Sequence, residues 1–242
     1  MTSIEFRGKC IPVTVAAPPD AELAIGTDLV KNWLAGLDDS LEVKSLEIQS
    51  VDKFGSSRVG FVKIKAHVER NGTSIPGIVL LRGSAVAMLL IITDEQTNEQ
   101  FTILTKQPRV PTGRILLELP AGMSDGEGNL KGVAIKELEE ECGIKVDASE
   151  LIDLTELTYD QSANGVFTSG GLLDEYIKLF ACKKTMKHEE ILALEGKLGG
   201  ESPHEQIILK IVKLEDVWKL SPDAKTLSAL YLYQRLKDEG KL

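Results

Sequence analysis

Cysteine and histidine are scarce in this chain, at three residues each among 242. Cys10, Cys142 and Cys182 are odd in number and show no C-x-x-C spacing. That argues against a disulfide framework or a zinc site and fits a reducing compartment. His67, His188 and His204 are scattered without ligand spacing and read as structural or surface residues. Trp33 and Trp218 read as packing groups rather than base-stacking platforms. No apolar run approaches the ~18 residues that span a bilayer. The N-terminus lacks the charged-then-apolar order of a signal peptide, since "IPVTVAAPP" is short and broken by proline. The expected compartment is cytoplasmic, or organellar where a transit peptide has been removed. Positive charge is also in deficit, with 28 Lys and Arg against 37 Asp and Glu, a net charge of -9 and a pI near 5.0. Neither nucleic acid nor an anionic membrane is steered toward such a chain. A phosphate compound stays open as a partner if metal ions lie between it and the protein.

What is present is enough apolar residue, 43%, to build a real core. The length suits a catalytic domain with a smaller companion. Residues 1 to 40 read as an irregular lead-in with one short helix over Thr27 to Leu37, capped by Thr27. From Leu41 to about Arg109 the pattern turns to strands. "LEVKSLEIQSV" and "VGFVKIKAHV" alternate, and "RNGTSIPG" is a turn signal. "AVAMLLIIT" is continuous, as in a strand covered on both faces, and "EQFTILTKQ" is expected to pair with it as a hairpin. Then follow a short strand "RILLELP", a glycine-rich loop over 122–132 and an acidic helix. Ile152 to Tyr159, Tyr176 to Cys182 and "EQIILKIVKL" read as strands, and His188 to Leu194 as a short polar segment. "SPDAKTLSALYLYQRLKDEG" reads as a closing helix, with Ser221 able to cap and Leu227, Leu230 and Tyr231 on one face. Strands and helices in mixed order indicate an α+β or three-layer arrangement.

The acidic helix carries the chemistry. "KELEEECG" places Glu137, Glu139, Glu140 and Glu141 ahead of Gly143, the expected C-terminal stop. At 100° per residue, Glu137, Glu140 and Glu141 share one arc of about 100°, bordering the stripe of Ala134, Ile135, Leu138 and Cys142. Anions in the last turns oppose the helix dipole and repel one another at i,i+3 and i,i+4. Lys136 can relieve Glu140 but not all three acids. A solvated charge-rich face is the plain reading of such a run. The other is that divalent cations neutralise it, because hard Mg²⁺ ions take carboxylate oxygens and bridge protein acids to phosphates.

The surroundings favour the second reading. From Gly122 the chain runs G-x5-G-x7-K-E-L-x-E-E-x-G-I. This resembles the Nudix box, G-x5-E-x7-R-E-U-x-E-E-x-G-U with U aliphatic. Gly122, Glu137, Leu138, Glu140, Glu141, Gly143 and Ile144 match at the required spacing. Gly128 stands where the family has Glu, with Glu127 one residue earlier, and Lys136 stands where it has Arg. Lys136 keeps the charge without the bidentate fork. "LTKQPRVPTGRILLELPAGM", "TSGGLLDEYIKLF", "RGSAVAMLLII" and "DAKTLSALYLY" extend the likeness. Together they resemble the ADP-sugar diphosphatase branch of the Nudix hydrolases, in its plant-type form.

The resemblance implies an α+β fold, a Nudix α/β/α sandwich with a mixed sheet over 81–242. A small β-rich N-terminal domain with a helix, over 1–80, would precede it and serve dimerisation. It implies Mg²⁺-dependent hydrolysis (Mn²⁺ as the alternative ion) of a nucleoside diphosphate sugar by a homodimer. ADP-ribose or ADP-glucose would give AMP and a sugar phosphate. It also implies metal ligation by Glu137, Glu141 and Glu140 with the backbone carbonyl of Ala121, and a general base at Glu175, with Asp174 as the fallback. Substrate contacts fall to Arg109, Glu118 and Arg82. Two alternatives stay open. One is a Nudix hydrolase of another linked diphosphate such as NADH, UDP-glucose or GDP-mannose. The other is a non-catalytic Nudix domain that senses a nucleotide, which Gly128 and Lys136 keep in play.

Overall fold

The computed structural model describes residues 2–15, 20–55, 58–124, 129–159, 163–200 and 206–242. Gly128, Glu127 and His204 lie outside them. Contacts divide the chain into two compact units, residues 1–83 with 169–175, and residues 84–168 with 176–242.

The first unit is built on a sheet that is six-stranded among the described residues. β1 (Thr2–Phe6) and β2 (Lys9–Val15) form a hairpin whose turn is made by Arg7 and Gly8 at positive φ. The lead-in is therefore strand, not irregular chain. Ile11 and Val13 are buried on one face while the residues between them are exposed. α1 (Asp20–Ile25) and α2 (Asp28–Ala35) follow, and Thr27 caps α2 by accepting the Val30 N–H. β3 (Leu41–Phe54) runs parallel to β2 and antiparallel to β4 (Arg58–Arg70). β5 (Thr73–Ile75) and β6 (Ile78–Leu81) both pair with β4. Val30 and Leu34 of α2 close this core over Leu46, Ile48, Ile64 and Leu81, with Trp33 packed at its edge.

The second unit holds a mixed sheet, nine-stranded among the described residues. Its elements in chain order begin with β7 (Ala85–Asp94), β8 (Gln100–Arg109), β9 (Arg114–Glu118), β10 (Ala121–Met123) and α3 (Leu130–Cys142). β11 (Ile152–Asp153), α4 (Leu154–Thr158), β12 (Val166–Phe167), β13 (Tyr176–Met186) and α5 (His188–Leu192) come next. β14 (Leu198–Gly199), β15 (Ile207–Lys213), α6 (Val217–Leu220) and α7 (Ala224–Asp238) complete it. Alternate residues of β7 face opposite layers. Val86, Met88, Leu90 and Ile92 pack with Ala134, Leu138 and Cys142 of α3. Ala85, Ala87, Leu89 and Ile91 pack with Leu154 of α4 and with Ala229, Leu232, Tyr233 and Leu236 of α7. This is the α/β/α sandwich of an α+β fold.

Several local expectations change. β7 and β8 pair only at Ile92 with Phe101 and Thr93 with Gln100. β7 takes β13 as its parallel neighbour, and β8 takes β15 and β9. The rest of β7's open edge is filled by β10, with Ala121 opposite Ala87 and the Met88 N–H donating to the Pro120 carbonyl at 2.9 Å. That insertion brings Ala121 and Gly122 beside α3. Residues 152–159 are mostly helix, because Asp153 accepts the Glu156 N–H and caps α4. His188 to Leu192 is helical as well. Asp223, not Ser221, caps α7. On α7 the buried stripe is Ala229, Leu232, Tyr233 and Leu236, one position off the expected face. Leu227 and Tyr231 are exposed, and with Leu230 and Trp218 they line an open groove of about 610 Å³. Trp218, 64% exposed, is thus not a core packing group.

Asp94, fully buried at the end of β7, accepts the Gln96 N–H at 2.9 Å and meets His188 Nδ1 at 2.7 Å. The Gln96 N–H, more than offsetting burial and aided by His188 and Thr97, holds the Asp94 carboxyl down at about 2, against an ordinary 3.8. A depressed carboxyl stabilises the fold fully above its unfolded value, and that contribution is lost as pH falls through the folded one. Asp94→Asn is therefore expected to lower the Tm at pH 7 and to flatten the loss of stability between about pH 4 and about pH 2. Thermal melts across that range check both.

Candidate active site

Glu137 and Glu141 lie one turn apart on α3 and converge on Ala121 and Gly122 of β10. The Ala121 N–H donates to Glu141 Oε2 at 3.1 Å. Gly122 lies so close to the Glu137 carboxylate that a Cβ at that position would overlap it. A side chain at that position would displace the Glu137 carboxylate from this place. Glu141 is buried, at 7% exposure, and Glu137 is half-buried. Glu140 is turned toward Lys136, whose Nζ lies 3.1 Å from Oε1, and Glu139 is met by Lys145 at 3.0 Å. Thus the acids that crowd the helix end have separate neighbours: backbone for Glu141 and lysines for Glu139 and Glu140.

The helix itself is held from both ends. Asn129 caps its start by accepting the Gly132 N–H, and Gly143, at φ 67°, ends it by donating to the Glu139 and Leu138 carbonyls. Leu138 and Cys142 fix its buried face, and burial pushes the Cys142 thiol well above its ordinary pKa, so the thiol is protonated and inert. β14 closes over the last turn, where the Gly200 N–H donates to the Glu140 carbonyl. At Gly199 a Cβ would strike the Glu141 carbonyl, so only glycine permits that approach.

Among the described residues, no three His, Cys, Asp or Glu side chains are gathered as a complete cage for a metal ion. Two carboxylates and the β10 backbone do meet. An all-oxygen, partial donor set fits a hard divalent ion that keeps several waters and takes its remaining ligands from a phosphate. It does not fit a thiophilic or imidazole-seeking metal.

Arg109 and Glu118 are brought together in the same unit. The Arg109 guanidinium grips Glu118 through Nε at 2.8 Å and a terminal nitrogen at 2.9 Å. Lys225 of α7 forms a close ion pair with the same carboxylate and meets Asp223 at 3.0 Å. Glu118 is 1% exposed. Burial pushes its carboxyl up, but Arg109 and Lys225 together outweigh that and leave it below the ordinary carboxylate value. Lys225 and the Asp223 cap were not singled out from sequence. Their signal, Asp-x-Lys at a helix start, is too common to stand out. Arg82, Asp174 and Glu175 belong to the first unit. There Arg82 Nε lies 3.1 Å from Glu175 Oε1, and Asp174 accepts the N–H groups of Arg82 and Gly83.

A carboxylate pair on a helix thus faces a glycine-bearing strand of an α/β/α sandwich. The family model described as NUDIX domain matches residues 83–232. The chain belongs to the Nudix family and is a Nudix hydrolase, a pyrophosphatase by class. It is similar to Nudix hydrolase 14, chloroplastic, of Arabidopsis thaliana, at 38% identity over a 246-residue alignment covering 95% of this chain and 79% of that one. It is similar to ADP-ribose pyrophosphatase of Bacillus subtilis (strain 168), at 30% identity over 203 residues, 81% of this chain and 97% of the relative. A solved structure, that of an ADP compounds hydrolase, covers 83% of this chain and 99% of its own at 19% identity and a TM-score of 0.49. No helix among the described residues is long and apolar enough to cross a membrane.

Proposed function

We propose that this chain hydrolyses the diphosphate bond of a nucleoside diphosphate sugar, ADP-ribose or ADP-glucose, releasing AMP and a sugar phosphate. The observation that carries the reading is the convergence of Glu137 and Glu141 on Ala121 and Gly122 of β10. The name of the Bacillus subtilis relative supports the substrate class. Glu137 and Glu141, with Glu140 and the Ala121 carbonyl, would hold Mg²⁺. The ion, when bound, screens the diphosphate charge and polarises phosphorus.

The chain's own groups do the rest. Glu175 is the general base, accepting a proton as water oxygen bonds to phosphorus and the bridging P–O bond breaks. Arg109 supplies a guanidinium to a phosphate oxygen, and Glu118, too buried for broad ligand contact, holds that guanidinium in one orientation. Homodimerisation through the N-terminal unit follows from the resemblance, and the chloroplastic relative supports an organellar compartment.

The test incubates the chain with Mg²⁺ or Mn²⁺ and a panel of ADP-ribose, ADP-glucose, UDP-glucose, GDP-mannose and NADH, following release of the nucleoside monophosphate. The expected result is fastest turnover of an ADP-sugar, abolished by chelator. Faster turnover of UDP-glucose overturns the substrate assignment and keeps the mechanism. No turnover of any member overturns both and favours a nucleotide sensor.

A further inference from the structure

Arg82 is joined to the 169–175 segment in two ways at once. The segment turns on Ser169, whose carbonyl accepts the N–H groups of Leu172 and Leu173, and it bridges to β6 where the Leu80 N–H donates to the Leu172 carbonyl at 2.9 Å. Beyond that bridge, Asp174 takes the backbone of residues 82 and 83. Its Oδ1 accepts the Arg82 N–H at 2.8 Å, and its Oδ2 accepts the Gly83 N–H at 3.2 Å. The next residue, Glu175, meets the Arg82 side chain. One acid therefore fixes the arginine's backbone while the arginine's head meets the other acid.

The Arg109–Glu118 and Arg82–Glu175 pairs differ in kind. Arg109 grips Glu118 with a two-pronged fork. The contact between Arg82 and Glu175 has Nε at 3.1 Å from Oε1, and that Nε, though buried, is not aligned for a hydrogen bond with any acceptor among the described residues. Arg82 places its charge beside a carboxylate that is only 7% exposed. A buried carboxylate needs a compensating cation to stay in place.

We propose that Arg82 is a positioning residue that acts through Glu175, with Asp174 anchoring it from the backbone side rather than serving as an alternative base. This rests on the reading of Glu175 as the base and reassigns Arg82 away from direct substrate contact. With both oxygens of Asp174 accepting backbone N–H groups, that carboxylate is committed to the turn.

The full chain is assayed with Mg²⁺ and the best nucleotide sugar of the panel, comparing wild type with Arg82→Gln, Arg82→Lys, Glu175→Gln and the double variant Arg82→Gln/Glu175→Gln. Arg82→Gln is expected to lower kcat about 10- to 100-fold with KM within about twofold, as misorientation of a reacting group does. Arg82→Lys recovers part of that loss, and the double variant is no slower than Glu175→Gln alone, because the arginine acts only through the glutamate. A raised KM at unchanged kcat, or a double variant that loses the product of the single effects, overturns the proposal. So does a wild-type kcat in Arg82→Gln beside a slow Glu175→Gln, which leaves Glu175 as base and removes Arg82. A wild-type rate in Glu175→Gln instead overturns the base assignment, and this inference with it. Folding is checked by circular dichroism. Should Arg82→Gln not fold, Arg82→Met, which keeps the apolar stem, is read by the same criteria.

Discussion

Glu141→Gln is expected to reduce turnover by about 10²- to 10⁴-fold, with Glu137→Gln close behind, since an ion that stabilises the transition state by several kcal/mol loses an anionic ligand. Glutamine is nearly the same size, so shape is kept while the charge goes. The structural cost at Glu141 is small because its side-chain amide oxygen can still accept the Ala121 N–H. The apparent affinity for Mg²⁺ is expected to weaken in both variants, seen as a rightward shift in the metal dependence of the rate. Glu140→Gln is the internal comparison. Its carboxylate has Lys136 as a charge neighbour, so its loss has the smaller effect. Wild-type rates and metal dependence in Glu137→Gln and Glu141→Gln would end the case for Ala121–Gly122 and these acids as the metal site.

Glu175→Gln is the second large effect, about 10²- to 10⁴-fold in kcat, with the metal dependence of the residual rate unchanged. The amide cannot take up a proton near neutral pH, yet it occupies the same volume. The separation from the first prediction lies in the metal titration. Loss of a ligand moves it, and loss of a base does not. Asp174→Asn serves as the control. Burial raises the Asp174 carboxyl against the backbone N–H donors of Arg82 and Gly83. An effect there would come through the turn and appear as lower thermal stability as well as lower rate. A Glu175→Gln enzyme at full speed refutes the assignment.

Much of the site was legible because it is local. Gly143 stops α3 at positive φ, Leu138 and Cys142 lie on its buried stripe, and the acids fall on the flank, all consequences of helical spacing within one short segment. What could not be read is nonlocal. The β7 edge is filled by β10 and β13, which come from later in the chain, so the apparent hairpin with β8 survives only next to its turn. The first strands were missed because half-buried residues on either side of a single glycine-containing turn look irregular in sequence. On α7 two apolar stripes compete, and only the packing of Ala229 and Leu232 against Leu89 and Ile91 decides between them. Asp153 and Asp223 illustrate a further limit. Each begins a helix through a carboxylate–amide bond, and the neighbouring residues carry no mark of that role.

The path of the chain has a practical result for dissecting the molecule. Residues 169–175 interrupt the larger unit and count with the smaller one, so neither unit is a single stretch of polypeptide. A fragment beginning at Ser84 retains Leu172, Asp174 and Glu175 but removes the Leu80, Arg82 and Gly83 groups they bind. Its loss of activity would say nothing against the acids of α3, and point changes in the intact chain are the sound way to separate the two contributions.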